Sequence, residues 1–169
     1  VGQLALRPAA PDVGAVIRHR VATTGPAAWQ ASRVQVVARV PRDMPRALAD
    51  AGRLEQVLFN LLHNAIRHTP PGGIVAVVAS GSPDGVQIEV RDTGTGIAPA
   101  DLPTIWAPFF RGSDSGDVPG AGLGLALVKA LTEAMDGRVA VESALGQGST
   151  FSVHLTPAPP GPERVPPPA

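Results

Sequence analysis

At 169 residues the chain suits one compact domain with a sizeable core and leaves little room for a second. Lysine plus arginine balance aspartate plus glutamate at 14 each, so no global field recommends DNA, RNA or an anionic membrane, and binding must come from a local site. The absence of cysteine excludes disulfide scaffolds, thiolate zinc sites and cysteine nucleophiles, and is compatible with a reducing cytoplasm.

Asp12 can cap a first helix in which Val13, Val16, Ile17 and Val21 recur at helical spacing, and Gly25-Pro26 is expected to stop it. The valine-rich, roughly alternating run Arg33 to Val40 predicts a strand. A second helix is expected from about Ala51 to His68, where Leu54, Val57, Leu58, Leu61, Leu62, Ala65 and Ile66 keep one apolar stripe until Thr69-Pro70-Pro71-Gly72-Gly73 ends it. Ile74 to Ala79 and Val86 to Arg91 follow as strands joined by the turn-rich "SGSPDG", and predict an antiparallel hairpin. From Gly112 to Gly120 there is no apolar periodicity, which predicts a mobile loop; "LGLALVKALTEAM" then predicts a helix ending at Asp136-Gly137. Arg138 to Ser143 and Ser149 to Leu155 suggest a closing hairpin across Gly146-Gln147-Gly148. After Thr156 there are seven prolines in 13 residues, so residues 157–169 are expected to be a disordered tail or extended linker and residues 1–156 the domain. Hairpin-paired strands with a few long helices indicate an α+β sandwich with helices on one sheet face.

No apolar run approaches the ~20 residues that cross a bilayer, and the start lacks a charged segment followed by a signal-type apolar core. These residues are therefore expected to be soluble and to make no membrane contact of their own. The chain opens at Val1 rather than at methionine, so it can belong to a longer protein with membrane spans elsewhere.

Three glycine-bearing segments sit where turns belong: "RDTGTGIAP", "GAGLGLAL" and "GQGSTF". Taken alone, each is a weak signal and the first reads as a tight turn, and neither the P-loop nor the dinucleotide fingerprint occurs. "GAGLGL" nevertheless opens a helix, where free N–H groups and the positive end of the dipole suit phosphate oxygens. On the second helix, Asn60, Asn64, Arg67 and His68 line one flank of the apolar stripe. Asparagine is a poor helix former, so two of them four residues apart ask for a reason. They can bond each other or a neighbouring loop; alternatively their amide oxygens are hard, neutral ligands suited to Mg²⁺, with Arg67 beside them for phosphate.

In order, "NLLHNAIRHTPPGG", "VRDTGTGIAP", "IWAPFFRG", "GAGLGLALVKAL" and "GQGSTFSVHL" resemble the catalytic ATP-binding domain of sensor histidine kinases, within the GHKL superfamily, over residues 33–155. The resemblance implies a two-layer α+β sandwich, a mixed, mostly antiparallel sheet with about three helices on one face, binding ATP under a flexible lid. Asn64 and Asn60 would bind Mg²⁺, Arg67 would contact phosphate, and Arg111 matches the basic end of an aromatic box containing Trp106, Phe109 and Phe110. His68, where the family often has tyrosine, would lie against the adenine. Asp92 would accept from the adenine amine, Gly94 and Gly96 would allow close approach, and Ile97 would pack on the ring. Gly120, Gly122, Leu123 and Gly124 would close the lid on the phosphates, and Gly146, Gly148 and Thr150 would shape the back of the pocket. Trp106, Ala121 and Met135-Asp136-Gly137 depart from the usual pattern, but none removes an expected nucleotide ligand.

The implied activity is γ-phosphoryl transfer from Mg-ATP to a histidine on a separate helical dimerisation domain, and then to an aspartate on a response regulator. The implied setting is cytoplasmic and the isolated domain is expected to be monomeric. His19, His63, His68 and His154 all lack the phosphoacceptor context, so the acceptor must lie upstream of Val1 or on another chain. Two other readings share the fold: a serine kinase of the anti-sigma type, and a nucleotide-binding regulatory module without phosphotransfer. In the ATPase branch of the superfamily a glutamate stands one helical turn before the metal-binding asparagine; here that residue is Asn60.

Overall fold

The computed structural model describes residues 5–112 and 122–160. The expected lid, apart from Gly112, lies outside the described residues, as do Gly120 and most of the proline-rich tail. The elements run α1 (Val13–Ser32), β1 (Gln35–Arg39), α2 (Ala51–His68), β2 (Ile74–Ser82), β3 (Gly85–Asp92), α3 (Gly124–Ala134), β4 (Arg138–Ala144) and β5 (Gly148–Leu155), with a single 3-10 turn at Leu102–Thr104. The five strands form one sheet in the order β1-β2-β3-β5-β4. β1 lies parallel to β2, across the α2 connection, and every other pair is antiparallel. This is the expected α+β sandwich of a mixed sheet and three helices.

α1 departs from the sequence reading, because it runs through Gly25-Pro26 to Ser32 instead of stopping there. A residue before proline is normally driven out of the helical region by its own Cβ and N–H meeting the ring, and glycine lacks the Cβ. Proline still leaves the Ala22 carbonyl without its usual donor. The extra length buries Ala28, and the helix ends at Arg33, which is left-handed at φ 57° with its guanidinium 5.6 Å from the Trp29 ring centre.

α2 is the central element. Its stripe of Leu54, Val57, Leu58, Leu61, Leu62 and Ala65 is buried against the inward residues of β2, β3 and β5 and against Val128 and Leu131 of α3. Asp50 caps it: Oδ1 accepts from the Arg53 N–H at 3.1 Å, while Oδ2 accepts from the Arg7 N–H at 2.7 Å. These bonds hold the Asp50 carboxyl below its ordinary pKa of 3.8. Replacing Asp50 with alanine is expected to cost about 1 kcal/mol in urea unfolding at neutral pH. A carboxyl whose folded pKa is lowered stabilises the fold above its unfolded pKa and loses that contribution as pH falls through the folded value. The gap between wild type and variant should therefore close only below pH 3.8, and a gap that is constant with pH would contradict the cap.

The strands obey two-residue alternation. Val86, Ile88 and Val90 of β3 and Phe151, Val153 and Leu155 of β5 point inward, while Gln87, Glu89 and Arg91 line the open face. Beyond β5, Pro157 bridges Ala47 and the Ala158 N–H donates to the Arg46 carbonyl at 2.9 Å, so the first residues of the expected tail are attached to the domain. No helix among the described residues is long and apolar enough to cross a membrane.

Candidate functional site

One row of the sheet changes the character of its inner face. The register aligns Val77, Val90, Phe151 and Val141 across four strands, and one step further along the same face it aligns Val75, Asp92, Ser149 and Ser143. Alternation from Val86 therefore delivers Asp92 to the inner face at the end of β3, and alternation from Leu155 delivers Ser149 beside it. Here the apolar core gives way to a polar floor, and above it opens a cavity of about 410 Å³.

Asp92 is 9% exposed. Its Oδ1 accepts from the Gly94 N–H at 2.9 Å and the Ser149 N–H at 3.3 Å. Among the described residues nothing donates to Oδ2, so one oxygen of a fixed carboxylate is left for a donor in the cavity. Burial raises the Asp92 pKa, against the two N–H groups and nearby His68, which pull it down. Burial likewise lowers the pKa of His68, helped by Arg67 and opposed by Asp92. The floor is thus a partly dry setting in which a hydrogen bond to a charged group is worth more than in water.

The segment after β3 forms one wall. The Thr95 N–H bonds the His68 carbonyl at the end of α2 at 3.2 Å, and the Gly146 N–H bonds the Thr95 carbonyl at 2.8 Å. Gly94 passes so close to α2 that a Cβ there would sit 2.4 Å from the His68 carbonyl oxygen, and at Gly96, with φ of 73°, one would sit 2.0 Å from the Ala144 oxygen. No other residue fits either place. Gly96 and Ile97 line the cavity as a result.

α2 supplies the opposite wall with Asn60, Asn64, Arg67 and His68, all of which line the cavity. The Asn60 Nδ2 donates to the Gln56 carbonyl at 2.8 Å, which fixes the amide and turns Oδ1 toward the start of α3, where a Cβ on Gly124 would lie 3.3 Å away. Gly122, Leu123, Gly124 and Arg111 complete the rim. Among the described residues no cluster of three or more His, Cys, Asp or Glu could hold a metal ion. A cation here would rely on amide oxygens and on its ligand's own oxygens, the coordination that suits Mg²⁺.

Among the expected site residues that the structure describes, Gly94, Phe109, Gly146, Gly148 and Thr150 do not line the cavity. Thr150 follows Ser149 on β5, so alternation places it on the other face of the sheet, opposite Arg91 and Glu142. Phe109 is 73% exposed, with a positive φ of 62°; its N–H bonds the Gly122 carbonyl, and Phe110 lines the cavity in its stead. Gly94 acts from beneath, through Asp92. Trp106, partly buried, packs edge-on against the core residue Phe151, with ring centres 5.8 Å apart. Sequence reasoning missed Ser149, which counting back by twos from Leu155 would have found. It also missed Phe59 and His63, stacked at 5.9 Å one helical turn apart on the rim.

The family described as histidine kinase-, DNA gyrase B- and HSP90-like ATPase matches residues 49–159. The chain is 43% identical over 129 residues to the adaptive-response sensory kinase SasA of Synechococcus elongatus, covering 76% of this chain and 33% of SasA. It is 37% identical over 146 residues to the sensor histidine kinase ZraS of Escherichia coli, covering 86% of this chain and 30% of ZraS. Among solved structures, full-length ShkA in complex with AMPPNP superposes with a TM-score of 0.81 at 34% identity, covering 94% of this chain and 33% of ShkA. The chain thus spans about a third of the length of each of these three relatives. It belongs to the histidine kinase-, DNA gyrase B- and HSP90-like ATPase family, and within it to the ATP-binding domains of sensor histidine kinases.

Proposed function

We propose that the cavity binds Mg-ATP and that the domain transfers the γ-phosphoryl group to a histidine on a separate helical dimerisation domain, from which a response regulator's receiver domain takes it. The observation that carries this reading is the pairing, in one cavity, of a carboxylate with one oxygen that accepts no bond among the described residues and a row of amides and arginine along α2. Asp92 suits the exocyclic amine of adenine, with Gly96 and Ile97 against the base. Asn60 and Asn64 supply neutral oxygens for Mg²⁺, and Arg67 and Arg111 supply positive charge for phosphate. Gly122, Leu123 and Gly124 bring the N-terminus of α3 to the same end, where N–H groups suit phosphate oxygens. When bound, Mg²⁺ supplies neutralisation of the charge on the transferring group. The chain's own share is to orient the nucleotide, to hold positive charge at its phosphate end and to exclude water at its base. ATP as substrate puts the domain on the cytoplasmic side, whether or not the whole protein is anchored in a membrane.

Calorimetric titration with the non-hydrolysable analogue AMPPNP tests the binding step. Affinity should fall when EDTA replaces Mg²⁺, and more so for AMPPNP than for adenosine, which carries no phosphate. Equal affinity for AMPPNP with and without Mg²⁺ would remove Asn60 and Asn64 from the metal role.

A further inference from the structure

We propose that Ser143 is a positioning residue that sets the hydrogen-bond polarity of the cavity floor, and through it the preference for a purine bearing an exocyclic amine over one bearing a keto oxygen. The inference rests on the nucleotide reading above and deepens it. Ser143 closes the polar row of the sheet on β4, opposite Ser149. Its Oγ accepts from the Ile97 N–H at 2.8 Å, donates to the Gly148 carbonyl at 3.0 Å, and lies 2.8 Å from the Ser149 Oγ. A hydroxyl has one proton and two acceptor sites. With the Ser143 proton on the Gly148 carbonyl, the contact with Ser149 is one that Ser149 donates. The Ser149 hydroxyl proton is thereby turned away from the cavity, and its remaining lone pairs stand beside the Asp92 carboxylate. Two acceptors side by side then favour a group that donates and repel one that accepts. The same hydroxyl also ties Ile97, and with it the wall of the cavity, to β4.

Removing the Ser143 hydroxyl frees the Ser149 proton to rotate and donate into the cavity, so discrimination should suffer more than folding. ADP and inosine diphosphate differ at position 6 of the purine, amine against keto, and neither can be hydrolysed at a γ-phosphate. Calorimetric titration of wild type, Ser143→Ala, Ser143→Cys and Ser143→Thr with both ligands tests the inference. Wild type should prefer ADP, and Ser143→Ala should narrow the ADP-to-inosine-diphosphate affinity ratio by about fivefold to tenfold, the scale of one hydrogen bond. Threonine, which keeps the hydroxyl, should restore the ratio. Cysteine, a weak acceptor, should fall between, and it carries the test if the alanine variant does not fold. A merely structural role would weaken both ligands alike, so an unchanged ratio in Ser143→Ala or Ser143→Cys overturns the inference. Failure of wild type to bind either ligand overturns the nucleotide reading itself, a result that the titration separates from the first.

Discussion

Asp92→Asn is expected to weaken adenine-nucleotide binding while stabilising the empty domain. Asparagine keeps an acceptor for the Gly94 and Ser149 N–H groups but puts an NH₂ where the carboxylate has its second oxygen, so a donor would confront the adenine amine in the proposed pose. Loss of a hydrogen bond to a charged group costs about 1.5–3 kcal/mol, roughly 10- to 150-fold in affinity. Stability should move the other way. Burial raises the Asp92 pKa, so its contribution to folding is fully present below the unfolded pKa of 3.8 and is lost as pH rises through the folded value. At neutral pH the wild type carries an ionised, poorly solvated carboxylate that the asparagine variant lacks. Thermal unfolding of the nucleotide-free proteins at pH 7, beside calorimetry with AMPPNP, reads both effects. Unchanged affinity would remove Asp92 from adenine recognition. A variant less stable than wild type would mean that the carboxylate is held for the fold and not for a ligand.

The second large effect concerns water. A positioned general base contributes about 10²- to 10⁴-fold to a reaction that must deprotonate its nucleophile. Asn60 stands one helical turn before Asn64, where a base could serve water, and an amide cannot take its proton at neutral pH. Its Nδ2 is moreover engaged with the Gln56 carbonyl. A histidine imidazole brings its own lone pair, so orientation and charge neutralisation suffice for transfer to it. Phosphate release from ATP by residues 1 to 169 alone is therefore expected to be negligible. Asn64→Ala, which would remove one oxygen from the surroundings of the proposed Mg²⁺, should slow transfer to a histidine-bearing partner on the order of 10²-fold, the scale of losing one preorganised electrostatic contact. Weaker AMPPNP binding with an unchanged transfer rate at saturating nucleotide would limit Asn64 to affinity.

Elements governed by local pattern were legible in the sequence, and those governed by pairing were less so. The α2 stripe gave the helix from Ala51 to His68, and the turn-bounded runs gave both hairpins. The parallel pairing of β1 with β2 depends on a crossover connection that no local pattern encodes, and the passage of α1 through Pro26 depends on the glycine before it. In the site the family motifs drew attention to Thr150 and Phe109. Strand parity and the bend at Phe109 instead bring Ser149 and Phe110 to the cavity. The Ser143 relay was beyond reach, because it requires knowing which residues of three strands share one row.

Incubation with γ-labelled ATP and Mg²⁺ tests the central claim most directly, using the domain alone, the domain with a histidine-bearing helical dimerisation domain, and that pair with Asn64→Ala in place of wild type. Label should appear on the partner's histidine in the wild-type pair, be strongly reduced with Asn64→Ala, and be absent from the domain alone, with little free phosphate in any sample. Rapid phosphate release by the isolated wild-type domain, or label on the domain itself, would contradict transfer to a partner histidine as its reaction.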